Sequence, residues 1–140
     1  MIVDDKARVI GKVIGINTEL LSVELSRDIV NFTINGFDDI HYVAQLNGYV
    51  VIPYLNFYIV GEVVSIREKE VYQSASNLKD QKLLKTKSTK VIDVSPFGSL
   101  SRNPNKSLVF TFGVSNFPSL YSDVLYIKDE ELKETALSRL

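Results

Sequence analysis

Apolar positions in this chain fall into short runs, many alternating with polar ones, and clusters of Gly, Pro, Asn and Asp separate them. The strongest pattern lies in residues 49–68, YVVIPYLNFYIVGEVVSIRE. Residues 49–52 are a short apolar run, residues 53–56 (PYLN) interrupt it, and residues 57–66 resume the same composition. β-Branched and aromatic side chains suit a pleated, half-buried surface, so the stretch predicts two strands. Pro53 has no backbone N–H to give to a ladder and belongs at a strand end, an edge or a bulge. Gly61, inside the second run, marks a bend or a close backbone approach. A strand that bends in its middle is what a small closed barrel needs.

The flanking pattern extends the same reading. Residues 7–17 (ARVIGKVIGIN) alternate at first, with Val9, Val13 and Gly11 on one side and Arg8, Ile10 and Lys12 on the other. Residues 17–19 form a turn and residues 20–25 a second strand with Leu21, Val23 and Leu25 on one face, which makes a hairpin. Residues 29–34 and 40–46 have strand composition around a turn-rich loop at 35–39, and Asn47-Gly48 is a tight-turn signal. Residues 91–100 read as a strand that Pro96 and Gly98 bend or end, 102–106 as a turn, 108–112 (LVFTF) as a strand, 113–121 as a loop and 124–127 as the last strand. Asp129 is expected to cap a terminal helix, with Glu130 and Glu131 at the positive end of its dipole and Leu132, Ala136, Leu137 and Leu140 sharing one face.

Residues 69–90 break the pattern. They hold Lys69, Lys79, Lys82, Lys85, Lys87 and Lys90 against Glu70 and Asp80. This stretch is read as a long mobile connection, partly helical over 75–84. The expected organisation is therefore all-β: a small closed antiparallel β-barrel of about six strands over residues 1–128, with the Lys-rich insertion at 69–90 and a helix at 129–140.

The composition fits one globular domain, with 45% hydrophobic and 24% charged residues in a chain of 140. There is no Cys, which excludes disulfides, thiolate zinc sites and Cys nucleophiles, and a reducing cytoplasm is compatible with that. A net charge of −1 argues against a domain that is basic all round. No signal peptide pattern opens the chain, and no apolar stretch reaches about 18 residues. His41 is the only His and has no second metal-ligand type beside it, so it is read as a turn or surface residue. The carboxylate groups Asp4/Asp5, Asp38/Asp39 and Asp129/Glu130/Glu131 are read as solvation and helix capping rather than as acid–base pairs. Gly11-Lys12 lacks the following Ser or Thr of a phosphate loop and lies within a strand, so nucleotide binding there is rejected.

Taken end to end, the segments IGKVIGINTELLSVEL, GYVVIPYLNFYIVGEVVSIRE, DVSPFGSL and GVSNFPSLYSDVLYIKDEEL resemble the N-terminal barrel of HerA-type ATPases of the FtsK–HerA superfamily, a barrel also found in rotary ATP synthase subunits. Gly48, Val51, Ile52, Pro53, Ile59, Val60, Gly61 and Val63 hold the family's "G-x-x-V-x-I-P" and "I-V-G-x-V" positions. Pro96, Phe97 and Gly98 match its later "P-x-G" strand. Gly113, Val114, Pro118, residues 124–127, Glu130, Glu131 and Leu132 match its pre-motor segment. The resemblance implies the non-catalytic barrel of a hexameric, ATP-dependent DNA translocase or helicase, serving subunit assembly and docking of a nuclease or sirtuin-like effector in repair or phage defence; the chain is read as a domain excised ahead of the motor, with a stand-alone barrel as the alternative. It implies a cytoplasmic protein, no catalytic residue, cofactor or metal in this chain, and ATP and Mg only in the absent motor, which would make the main DNA contacts.

The candidate partner or subunit interface is Tyr54, Leu55, Asn56, Phe57, Phe117 and Tyr121, because aromatic groups near loops serve as interface anchors. The alternative is a nucleic-acid-binding barrel of the oligonucleotide-binding type, with Lys79, Lys82, Lys85, Lys87 and Lys90 on phosphates. That stretch lacks interleaved aromatics for base stacking, so a solvated connection is the blander reading. A small enzyme with an unrecognised site is a third and weaker possibility.

Overall fold

Residues 3–26, 33–35, 40–42, 46–71 and 87–139 are described by the computed structural model. A short helix α1 (Val3–Lys6) leads into β1 (Val9–Ile16) and β2 (Leu21–Leu25). The turn between these strands is set by Asn17, whose side-chain oxygen accepts from the Glu19 N–H at 3.0 Å and the Leu20 N–H at 2.7 Å. A small separate hairpin follows, β3 (Thr33–Asn35) with β4 (Ile40–Tyr42). Next come β5 (Tyr49–Tyr54), β6 (Phe57–Val71), β7 (Lys87–Arg102), β8 (Leu108–Phe112), β9 (Asp123–Tyr126) and the helix α2 (Asp129–Ser138).

Six strands close on themselves in the order β2-β1-β9-β5-β6-β7, with β7 returning to β2 through Leu21↔Val94 to Glu24↔Val91. Every pairing is antiparallel. The fold is a closed six-stranded antiparallel barrel, with β8 as one extra strand on β7 and one C-terminal helix. Bulges bend the long strands: β6 against β7 shifts register at Val60/Gly61 and again at Val63/Ser65.

All six barrel strands contribute to one buried cluster, so it is the interior: Ile10 and Val13 (β1), Leu21, Val23 and Leu25 (β2), Val50 and Ile52 (β5), Ile59 and Val63 (β6), Ile92 and Val94 (β7) and Val124 (β9). Each such side chain contributes roughly 1.5–3 kcal/mol of burial. A second cluster, Val51, Val60, Leu100 and Leu125, faces outward from the same strands. Val9, Tyr49, Tyr58, Phe97, Phe110 and Ile127 pack against it.

Four expectations are corrected. Ile10 shares the interior with Val13 while Val9 faces out, because the β1–β9 register shifts between Val9 and Gly11 and resets the alternation. β5 runs through Pro53 to Tyr54, since Pro53 lies beyond the last β5–β9 pair, Val51↔Leu125, where a missing N–H costs no ladder bond. β7 bends at Pro96 and Gly98 as expected, since the pairs Gly61↔Pro96 and Val60↔Gly98 leave Phe97 bulged against β6, and the strand runs on to Arg102. β6 and β7 also reach into the Lys-rich stretch as a paired ribbon from Glu68↔Lys90 to Val71↔Lys87. The helix expected over 75–84 lies outside the described residues.

The C-terminal helix carries the fourth correction. Its N-cap is Lys128, not Asp129, and the Glu131 carboxylate reaches back to accept the Lys128 N–H at 2.9 Å. Its buried residues are Glu131 and Thr135, whereas Leu132, Ala136 and Leu137 are exposed. The reason is a buried cation beneath it.

Candidate docking rim

Arg8 is 2% exposed and lies under α2. Its guanidinium donates to the Asp5 carboxylate at 3.3 Å, to the Glu131 carboxylate and to the Tyr126 carbonyl at 2.8 Å. It also sits 5.7 Å from the centres of the Tyr58 and Tyr126 rings. The Tyr58 hydroxyl donates to the other Asp5 oxygen at 2.7 Å. Its pKa is pushed up to about 12, first by burial and then by the hydrogen bond to Asp5, so it stays a donor at neutral pH. This cluster ties α1, the barrel wall and α2 together, and Arg139 fixes the far end of the helix. The Arg139 guanidinium lies 4.5 Å from the Phe97 ring centre and donates to the Tyr49 hydroxyl at 2.9 Å and Glu62 at 3.3 Å. The hydrophobic pattern gave no sign of the cluster. The signal present was Asp5 and Arg8, three residues apart beside a strand.

A second polar group spans the barrel wall. Asp93 on β7 accepts from Ser22 of β2 at 3.1 Å, from Ser65 of β6 and from Arg67 of β6 at 3.3 Å. The Arg67 bond, then the two hydroxyls, hold its carboxyl below the ordinary 3.8 despite partial burial. The unfolded carboxyl therefore binds protons at higher pH than the folded one. The stabilisation is complete above about pH 4 and is lost as pH falls through the folded value. Asp93→Asn is expected to cost about 1 kcal/mol at pH 7, since Arg67 is half exposed, and to flatten the acid limb of stability against pH. Urea unfolding at pH 7 and pH 3 measures both.

One end of the barrel gathers the turn at 17–20, the turn at 55–56 and the loop at 113–122. β5 and β1 end there and β9 begins there, all antiparallel to their neighbours. Leu55 is 89% exposed and Tyr121 70% exposed, and both have left-handed backbones, φ 53° and 68°. Bulky residues avoid that region at a cost of about 1–2 kcal/mol each. Leu120 and Phe117 are also exposed, as are Ile14 and Ile16 of β1, which sequence reading did not single out. Tyr121 is set beside β1, because its N–H donates to the Val13 carbonyl at 2.7 Å. Leu55→Gly is expected to raise stability by about 1 kcal/mol by relieving the turn, read from the denaturation midpoint.

The proposed rim residues thus divide. Leu55, Asn56, Phe117 and Tyr121 are exposed at this end. Tyr54 and Phe57 instead form a ring pair 5.3 Å apart, half-buried against the interior cluster, and so close the barrel end. A groove of about 530 Å³ runs beside the Leu55–Asn56 turn toward Asp5, Arg102 and Leu108. Another of about 420 Å³ lies between Phe117, Phe97 and the turn residues Thr18 and Glu19.

Of the lysines, Lys79, Lys82 and Lys85 lie outside the described residues. Lys87 and Lys90 stand on β7, where Lys90 is opposite Glu68. Lys12, in the Gly-Lys pair, lies within β1 and pairs with Asp123 at 3.6 Å. Among the described residues no group of His, Cys, Asp or Glu is arranged to hold a metal ion, and no helix is long and apolar enough to cross a membrane. No family model and no curated protein matches the chain.

Proposed function

We propose that this chain is the non-catalytic N-terminal barrel of a HerA-like hexameric DNA translocase, serving subunit assembly and the docking of a nuclease or effector. The observation that carries the reading is the closed barrel itself, in which the residues of the family resemblance take shaping positions. Pro53 lies within the β5–β6 hairpin arm beyond the last β5–β9 pair, Gly61 lies at a bulge opposite Pro96, and Gly98 lies under the Phe110 ring. The exposed Leu55, Phe117 and Tyr121 on turns at one end of the barrel support the docking role, because large apolar and aromatic groups near loops serve as interface anchors. ATP and Mg belong to the motor of the parent protein, and DNA is contacted mainly there.

The test compares residues 1–140 with the product of the complete gene. The complete product is expected to hydrolyse ATP when DNA is added, and the barrel alone to show no turnover. ATP hydrolysis by the barrel alone, or none by the complete product, contradicts the reading.

A further inference from the structure

Closing a sheet into a barrel pairs its two edge strands, as β2 pairs with β7 here. β8 restores one. It pairs with β7 on one side and ends the strand order, and no described strand lies on its other side. The Gly113 N–H donates to the Phe97 carbonyl at 2.9 Å and the Asn103 N–H to the Ser107 carbonyl at 3.0 Å. Antiparallel ladders alternate between bonded and non-bonded pairs. Between those two bonds, Val109 and Thr111 therefore turn their main-chain groups toward β7, and Leu108, Phe110 and Phe112 turn theirs outward.

Exposed edges are normally blunted by Lys, Pro or a bulge. β8 reads LVFTF, with no charge and no Pro, and its register with β7 from Gly98↔Phe112 to Arg102↔Leu108 is unbroken. α2 packs beside it, yet Val109, Thr111 and Phe112 stay exposed, Phe112 to 57%.

We propose that β8 is a pairing edge for a second copy of this chain, joined antiparallel about a two-fold axis through Phe110. In that register Phe110 meets the partner's Phe110, Leu108 meets the partner's Phe112, and Val109 meets the partner's Thr111. The outward main-chain groups then form about six hydrogen bonds. The match favours a like copy: the apolar residues Leu108 and Phe112 exchange places, and so do the β-branched Val109 and Thr111. A charge on the axis residue would face its own copy, and Phe110 carries none. The edge-to-face Phe110–Phe112 pair, 4.9 Å apart, would continue into the partner. A contact of five residues is small, so the dimer is weak. This inference stands apart from the proposed function, which concerns the rim.

Two measurements test it. Sedimentation velocity from about 10 to about 500 micromolar should show the mass rising from monomer toward dimer. Phe112→Lys should keep the barrel's circular dichroism and stay monomeric. The chain has no Cys, so introduced thiols report cleanly. Under oxidation a mixture of Val109→Cys and Thr111→Cys proteins should cross-link, and neither variant alone should. A wild type that stays monomeric overturns the proposal. So does cross-linking by a single variant, which means another register, and so does a strand of a different protein taken in place of the second copy.

Discussion

Replacing Arg8 by Met is expected to lower the stability of the barrel by about 3–5 kcal/mol, because it strips from two buried carboxylates the one cation that pairs with them among the described residues. Asp5 and Glu131 are 4% and 3% exposed, so neither can recover its solvation. Tyr58 and the Lys128 N–H would still bond them, but those are neutral donors. The loss should be read from chemical denaturation as a lower midpoint with an unchanged slope. A loss under about 1 kcal/mol would mean that water reaches the cluster. Replacing Arg8, Asp5 and Glu131 together by apolar residues of similar volume should recover most of the loss, since buried ion clusters are costly to desolvate. The rescue separates the cost of an unpaired charge from the cost of lost packing.

Gly11→Ala is the second large effect. A Cβ at Gly11 would lie 2.3 Å from the Glu24 carbonyl oxygen and 3.1 Å from the Leu25 Cα, all backbone of β2. No side chain can swing away, so β1 must move off β2 at a point where β1 also pairs with β9. Overpacking typically costs about 1–3 kcal/mol, and a backbone obstacle places this case at the upper end. Gly15→Ala, four residues along the same strand, is the control. Its Cβ would meet only the Ser22 side chain at 3.4 Å, and its expected cost is below about 1 kcal/mol. Equal losses at the two positions would mean that the β1–β2 approach is not what holds Gly11.

The difference between these glycines shows where sequence pattern stops. Both sit in a β-branched run, and the run predicts curvature without saying which one carries it. A continuous apolar run located β5, because Val50 and Ile52 are buried in the interior and Val51 in the outer cluster, whereas alternation located β2 through Leu21, Val23 and Leu25. It failed at Ile10, where a bulge changes the phase, and a bulge is fixed by pairing with a distant strand. It failed again on α2, where the apolar residues Leu132 and Leu137 are outside and Glu131 is inside. There a polar partner 123 residues away in sequence outweighed helix amphipathicity. The rim was half legible: aromatic residues near turns were visible, but only φ values and exposure separate Leu55 and Tyr121 from Tyr54 and Phe57.

The assembly role is tested most directly by native mass spectrometry of the complete gene product, wild type against the double variant Leu55→Ser/Tyr121→Ser. Both side chains are exposed, so the variant should fold as the wild type does. The account predicts a sixfold assembly for the wild type, and smaller species or loss of a co-purified partner for the variant. A wild type that remains monomeric, or a variant whose assembly and partner are unchanged, would contradict it.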